Sequence, residues 1–294
     1  MPDNTEADYC RLQSSDVATR FLDAGSIEVV GNFVPRTPPQ HVLFDFDGTL
    51  SLIREGWTVI MVDMMVEYLL QTDPPEPREE LRRQCSESVM ELTGKQTIYQ
   101  MIHLANEISS RGSTPLDPLQ YKAEYHRRLM EKIEARRAGL RNGTIQPEEL
   151  LVPGSRELLT ALQQRGAEIY LASGTDEVYV REEVALLQLD HFFGRHVHGA
   201  VDDYKSFSKA QVIHRILTEN SVDGSTLLGF GDGYVEIQNV LEVGGIAVAV
   251  ASDESHRSGK PDPWKRERLL GAGANVIVPD YACGMRLLDW LWNS

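Results

Sequence analysis

Asp45 and Asp47 stand one residue apart at the end of the short apolar run His41-Val42-Leu43-Phe44, and Gly48-Thr49 follows at once. Side chains alternate along an extended segment, so both carboxylates point the same way. Two like charges side by side at the end of a buried strand are costly unless a cation or a proton transfer uses them. The pair therefore suits chemistry in which one carboxylate attacks and the other moves a proton. A calcium loop would need further ligands around the glycine that this segment lacks. A plain turn ending the strand is the competing reading.

Other chemistry-bearing residues fall at similar positions. Ser173-Gly174 closes the apolar run 167–172, Asp232 closes the run 226–230, and Glu236 follows it within the first turn of a helix. A hydroxyl beside backbone N–H groups at a helix start makes an anion seat, and the same serine can serve as a cap or turn residue. Lys209 opens an amphipathic helix, where a cation opposes the helix dipole, so local stability does not account for it. Lys205 competes, and Lys209 is preferred because the helix start fixes it in place. Four acids, a hydroxyl and a lysine around one crevice form an oxygen-rich set that suits a hard cation such as Mg²⁺. They also suit phosphoryl transfer, in which metal and lysine offset phosphate charge while a carboxylate attacks.

The elements that must position these groups can be read from periodicity. Apolar runs ending at 44, 172, 230, 250 and 278 alternate with helical patterns at 154–166, 177–187, 209–219 and 281–292. This predicts an α/β fold, a doubly wound parallel sheet with helices on both faces. Ligands of such sheets lie beyond the carboxyl ends of the strands, where Asp45, Ser173 and Asp232 all fall. Residues 54–149 show no clear strand. There Trp57, Ile60, Met61, Met64, Met65 and Tyr68 recur at helical spacing, and further helices are expected after the break at 74–77, at 98–110 and at 121–137. The methionine stripe reads as core, and Arg127, Arg128, Lys132, Arg136 and Arg137, interleaved with glutamates, read as a solvated helix face. The expected organisation is an N-terminal extension over 1–40 whose order is left open, an α/β core of 41–53 and 150–294, and an inserted α-helical cap over 54–149.

A formal net charge of −15 argues against nucleic acid or an acidic membrane surface as partner. Cys10, Cys85 and Cys283 are few, scattered and odd in number, which supports neither a disulfide framework nor a metal cluster. The acidic start Met1-Pro2-Asp3-Asn4-Thr5-Glu6 does not read as a signal peptide, and the most apolar helix candidate is too short to span a bilayer. A cytoplasmic protein is expected, of unread oligomeric state.

In their order along the chain these segments resemble the four motifs of the haloacid dehalogenase superfamily. Asp45-Phe46-Asp47-Gly48-Thr49 looks like the first, Ser173 with Gly174 the second, Lys209 the third, and Gly231-Asp232 with Glu236 the fourth. The helical insert looks like the cap of the phosphoglycolate phosphatase and β-phosphoglucomutase group. The resemblance implies that Asp45 is the nucleophile and Asp47 the general acid and base. It implies that Ser173, Gly174 and Lys209 bind phosphate, and that Asp45, Asp47, Asp232 and Glu236 surround Mg²⁺. Thr93-Gly94-Lys95-Gln96-Thr97 lies between two cap helices, where a loop of the resembled group faces substrate. Lys95 and Gln96, with Arg54, are thus implied substrate contacts, against the plainer reading of a solvent lysine on a helix connection. Ser51-Leu52 and Glu236 depart from the residues many relatives carry, and the loop 252–264 has no counterpart.

The activity implied is Mg²⁺-dependent hydrolysis of a small phosphate monoester through an aspartyl phosphate. The partner implied is a small phosphorylated metabolite: a sugar, polyol or cyclitol phosphate, or phosphoglycolate. A phosphomutase is the nearest rival, and a dehalogenase is disfavoured because displacing halide does not need Asp47. A catalytically silent binding or regulatory protein of the same fold is the alternative of another class.

Overall fold

Val42 and Phe44 turn to one side of strand β3 (His41–Phe44) and Leu43 to the other, and both sides are buried. A strand so enclosed reads as a continuous apolar run because helices cover both faces of its sheet. The computed structural model describes residues 6–22, 25–74, 76–201 and 203–293; the start of the chain, Met1 to Thr5, and Pro75 of the expected break lie outside them. The other strands are β1 (Thr19–Leu22), β2 (Ile27–Val30), β4 (Glu168–Asp176), β5 (Val197–Ala200), β6 (Leu227–Gly231), β7 (Ile246–Val250) and β8 (Val276–Val278). They form one sheet in the order β1-β2-β8-β7-β6-β3-β4-β5, parallel from β8 to β5.

The four helices between β3 and β4 are α1 (Trp57–Leu69), α2 (Arg78–Glu91), α3 (Thr97–Ser110) and α4 (Pro118–Asn142). Met61, Met64 and Met65 of α1 are buried, so the stripe is core. Helix α4 runs longer than its apolar spacing indicated. Asp117 caps its start by accepting from the Leu119 N–H, and Gly143 ends it in the left-handed conformation. Its charge run is not all solvated. Arg127 is, pairing with Glu124 and Glu131 on the same surface. Arg136, however, donates to the carbonyls of Ile53 and Glu55, and Arg137 is buried against Glu182, so these two tie the helix to the rest of the protein.

After β3 and this insert, α5 (Ser155–Gln164), α6 (Glu177–Leu186), the short α7 (Asp190–Phe193) and α11 (Gly284–Trp292) share the apolar layer of Val42 and Phe44. Helices α8 (Lys209–Asn220), α9 (Tyr234–Glu242) and α10 (Pro263–Gly271) share the layer of Leu43 on the other face. The N-terminal region folds as a hairpin, β1 against β2, and β2 pairs antiparallel with β8. Ile27 and Val29 are buried there, and Glu28, also buried, is held by Arg266. The extension thus lengthens the sheet and covers the edge of β8. No helix of the described residues is long and apolar enough to cross a membrane.

Candidate active site

Phe44 lies in register with Leu171 of β4 on one side and with Phe230 of β6 on the other. Strand β3 ends at Phe44 and β6 at Gly231, whereas β4 does not stop at 172 but continues through Ser173 and Gly174 to Asp176, with a register irregularity between Ser173 and Asp176. Asp45, Ser173 and Asp232 nevertheless line one cavity with Asp47, Gly174 and Lys209. Asp45 is 5% exposed, and burial pushes its carboxyl up to about 6, with Lys209 opposing the rise and Asp232 adding to it. The Lys209 ammonium lies 3.1 Å from Asp45 Oδ1. Lys209, at the first position of α8 behind the capping Ser208, is fully buried, whereas Lys205 sits in the short turn before it. Glu236 forms an ion pair with this lysine, and its two buried carboxylate oxygens have no hydrogen-bond partner among the described residues.

Burial also raises Asp47, to about 7; Arg54 opposes this, and Glu183 and Asp45 reinforce it. Thr175 Oγ1 donates to Asp47 Oδ2 at 2.8 Å, while Asp47 Oδ1 has no hydrogen-bond partner. Ser173 Oγ accepts from the Thr175 N–H at 3.1 Å, the turn role open to a serine here, while facing the cavity. Arg54 lines the cavity, its guanidinium 3.7 Å from Asp47 and bonded twice to the fully buried Glu183, at 2.8 and 3.0 Å. Removing one partner of a buried pair strands the other charge. Glu183→Ala is therefore expected to cost about 3–5 kcal/mol of stability in denaturant titration. A loss near zero would mean that Arg54 finds another partner or water.

The cap loop is seated on this site. The Lys209 ammonium donates to the Gly94 carbonyl at 3.3 Å. Gly94, at φ +99°, packs so closely on Gly233 that a Cβ on Gly233 would come within 2.6 Å of the Gly94 Cα. A Cβ on Gly174 would likewise meet the Lys95 carbonyl at 2.8 Å, so close contact of loop and core needs glycine on the core side. Lys95 lines the cavity, but its ammonium is held by Asp8 at 2.7 Å. Gln96 does not line it, because its side-chain amide donates to the carbonyls of Tyr204 and Phe207 and ties cap to core. The cavity is open to solvent on one side and has a volume of about 80 Å³, with Trp57, Met61, Gln100 and Tyr125 on the cap side.

Several site residues escaped sequence reasoning. Lys265 bonds to Asp232 Oδ2 at 2.8 Å and Glu254 Oε1 at 2.7 Å, and Ser252 donates to the Gly48 carbonyl, so the loop without a counterpart folds over the first motif. Lys265 sits in the first turn of α10, behind the capping Asp262. There its cation opposes the helix dipole just as that of Lys209 does. Thr175 and Glu183 carried no such signal.

Among the described residues no three acid, histidine or cysteine side chains converge as a ready metal set. Mg²⁺ commonly takes one or two carboxylates and completes its shell with substrate phosphate and water. Asp45 and Asp232, both nearly excluded from solvent, with the orphaned Asp47 Oδ1 nearby, fit that pattern. A Cβ on Gly48 would fall 2.2 Å from Asp232 Oδ2, so the backbone leaves a cradle there.

Comparison with known proteins agrees with this geometry. A family model for haloacid dehalogenase-like hydrolases matches residues 39–244. No match was found among curated proteins. Among solved structures, one described as a predicted phosphoglycolate phosphatase from Haemophilus somnus is 15% identical with a TM-score of 0.54, over 85% of this chain and 98% of its own. A predicted phosphatase from Clostridium acetobutylicum is 18% identical at 0.56, over 86% and 100%. A candidate β-phosphoglucomutase from Bacteroides vulgatus is 16% identical at 0.56, over 87% and 91%. At such identities these likenesses concern the fold.

Proposed function

Since this chain belongs to the haloacid dehalogenase-like hydrolases, we propose that it hydrolyses a small phosphate monoester with Mg²⁺ as cofactor, through a phosphorylated Asp45. The observation that carries this reading is the pairing of a buried Asp45 facing Lys209 with an Asp47 raised to about 7 on the same side of the cavity. An acid of that strength can be protonated or ionised near neutral pH, as both halves of the reaction require.

In the first half, an Asp45 carboxylate oxygen attacks phosphorus, the bond to the leaving oxygen breaks, and Asp47 gives that oxygen its proton. In the second half, water attacks phosphorus of the aspartyl phosphate, Asp47 takes a proton from the water, and phosphate leaves with the Asp45 carboxylate restored. Lys209, oriented by Glu236, and Ser173 with Gly174 hold the phosphate. The cation, held by Asp45, Asp47 and Asp232, would supply charge neutralisation for the phosphoryl oxygens. The seated cap excludes bulk water.

We place the enzyme in the cytoplasm, where its three free cysteines stay reduced.

Screening the purified protein against phosphorylated metabolites and p-nitrophenyl phosphate tests the reading. Turnover should vanish in excess chelator and return with added Mg²⁺. Undiminished turnover in chelator would rule the cofactor out, and conversion of a hexose 1-phosphate to its isomer would reassign the protein as a mutase.

A further inference from the structure

Beyond the hairpin, the N-terminal segment crosses from core to cap. The Leu12 N–H donates to the Gly271 carbonyl, Tyr9 packs edge-on against Tyr234 with Arg268 over its ring, and the Ala7 carbonyl accepts from the Tyr234 hydroxyl. On the cap side, the Glu6 N–H donates to the Tyr99 hydroxyl at 3.1 Å, and Glu6 Oε2 accepts from the Gln96 N–H at 2.9 Å. Glu6 is buried in the process. Anchored at both ends, the segment brings Asp8, whose side chain is otherwise exposed, to Lys95, whose side chain is only 4% exposed.

The consequence concerns charge. The cations along the cavity wall are Arg54, Lys95 and Lys209, and each is already held by acid: Arg54 by Glu183, Lys95 by Asp8, Lys209 by Asp45 and Glu236. Lys209 belongs to the phosphate seat, and Arg54 is committed by two parallel bonds. Lys95 is thus the cation best able to meet an anionic leaving group, and Asp8 occupies it. A carboxylate entering the leaving-group end would be desolvated without a free partner, which is costly, whereas hydroxyls would not suffer this.

We propose that Asp8, delivered by the N-terminal segment, determines charge selectivity at the leaving-group end by holding Lys95, so that esters of uncharged alcohols are preferred over esters bearing a carboxylate. This rests on the phosphatase reading above.

The test compares kcat/KM for glycerol 1-phosphate and phosphoglycolate in the parent, in Asp8→Asn and in a chain lacking residues 2–8. In both variants the ratio should move toward phosphoglycolate by about tenfold or more, carried by a lower KM, since Lys95 is released. Turnover of p-nitrophenyl phosphate, which has neither group, should stay level in Asp8→Asn and certify its fold. In a Lys95→Ala background, Asp8→Asn should have no further effect.

An unchanged ratio in both variants would overturn the proposal, as would the same shift in the Lys95→Ala background. Calorimetry of phosphoglycolate binding separates the two levels. About tenfold tighter binding in Asp8→Asn supports the charge assignment even if no ester is hydrolysed, and unchanged binding sinks it whatever the turnover.

Discussion

Asp45→Asn is expected to abolish turnover of every phosphate ester, by about a thousandfold or more, as removal of a nucleophile does. The amide keeps the shape of the carboxylate, and Lys209 keeps Glu236 as its partner, so the loss reports missing nucleophilic charge and not a collapsed site. The same variant has a second signature. The folded value of Asp45, about 6, lies above its ordinary 3.8, so between those values the folded state binds more protons than the unfolded chain. Stability attached to this group is therefore present at low pH and lost as pH rises toward and past 6. At pH 7.5, without metal, the ionised buried carboxylate therefore weighs against the folded state, a penalty that asparagine removes. Metal-free Asp45→Asn should melt above the parent at pH 7.5, with the gap closing near pH 4. Turnover at the parent rate would mean that another residue attacks phosphorus.

For Asp47→Ala, the expected outcome depends on the leaving group, because the two tasks of this residue then separate. An aryl ester such as p-nitrophenyl phosphate expels a stable anion and needs little protonation, whereas an alkyl ester needs an acid in the transition state. The variant should give a burst of nitrophenol on rapid mixing, followed by turnover slowed about 10²- to 10⁴-fold, because the attacking water has lost its base. Alkyl phosphates should give almost no burst. The Thr175 hydroxyl and the Arg54 guanidinium, which flank Asp47, remain but cannot take a proton from water at neutral pH. Equal and undiminished turnover of both ester types would remove Asp47 from the mechanism.

Much of the site was legible because it depends on local patterns. A short apolar run stopped by polar residues marks the end of a buried strand, and in a parallel sheet strand ends are where ligands bind. That places Asp45, Ser173 and Asp232 together without any knowledge of contacts. Helical spacing marked the cap, and the dipole argument separated Lys209 from Lys205. Register then set Phe44 opposite both Leu171 and Phe230, although β4 continues to Asp176 instead of ending with its apolar run at 172.

Pairings between distant segments were decided by tertiary structure alone. Arg54 meets Glu183 across 129 residues, and Lys95 meets Asp8 across 87. A charged residue shows its type in sequence but not its partner, since long side chains on loops and helix faces reach whatever the packing brings near. Glu236 illustrates this: its place four residues after Asp232 was visible, whereas its commitment to Lys209 follows from how α9 lies against α8. The hairpin of the first forty residues was hidden for a related reason. Strands of four residues carry weak periodic signal, and Ile27 and Val29 acquire their role when β8 presents an open edge to pair with. The sequence by itself determined which groups could do chemistry and where along the chain they emerge. Packing alone decided which acid neutralises which cation, because that depends on distances that no local pattern encodes.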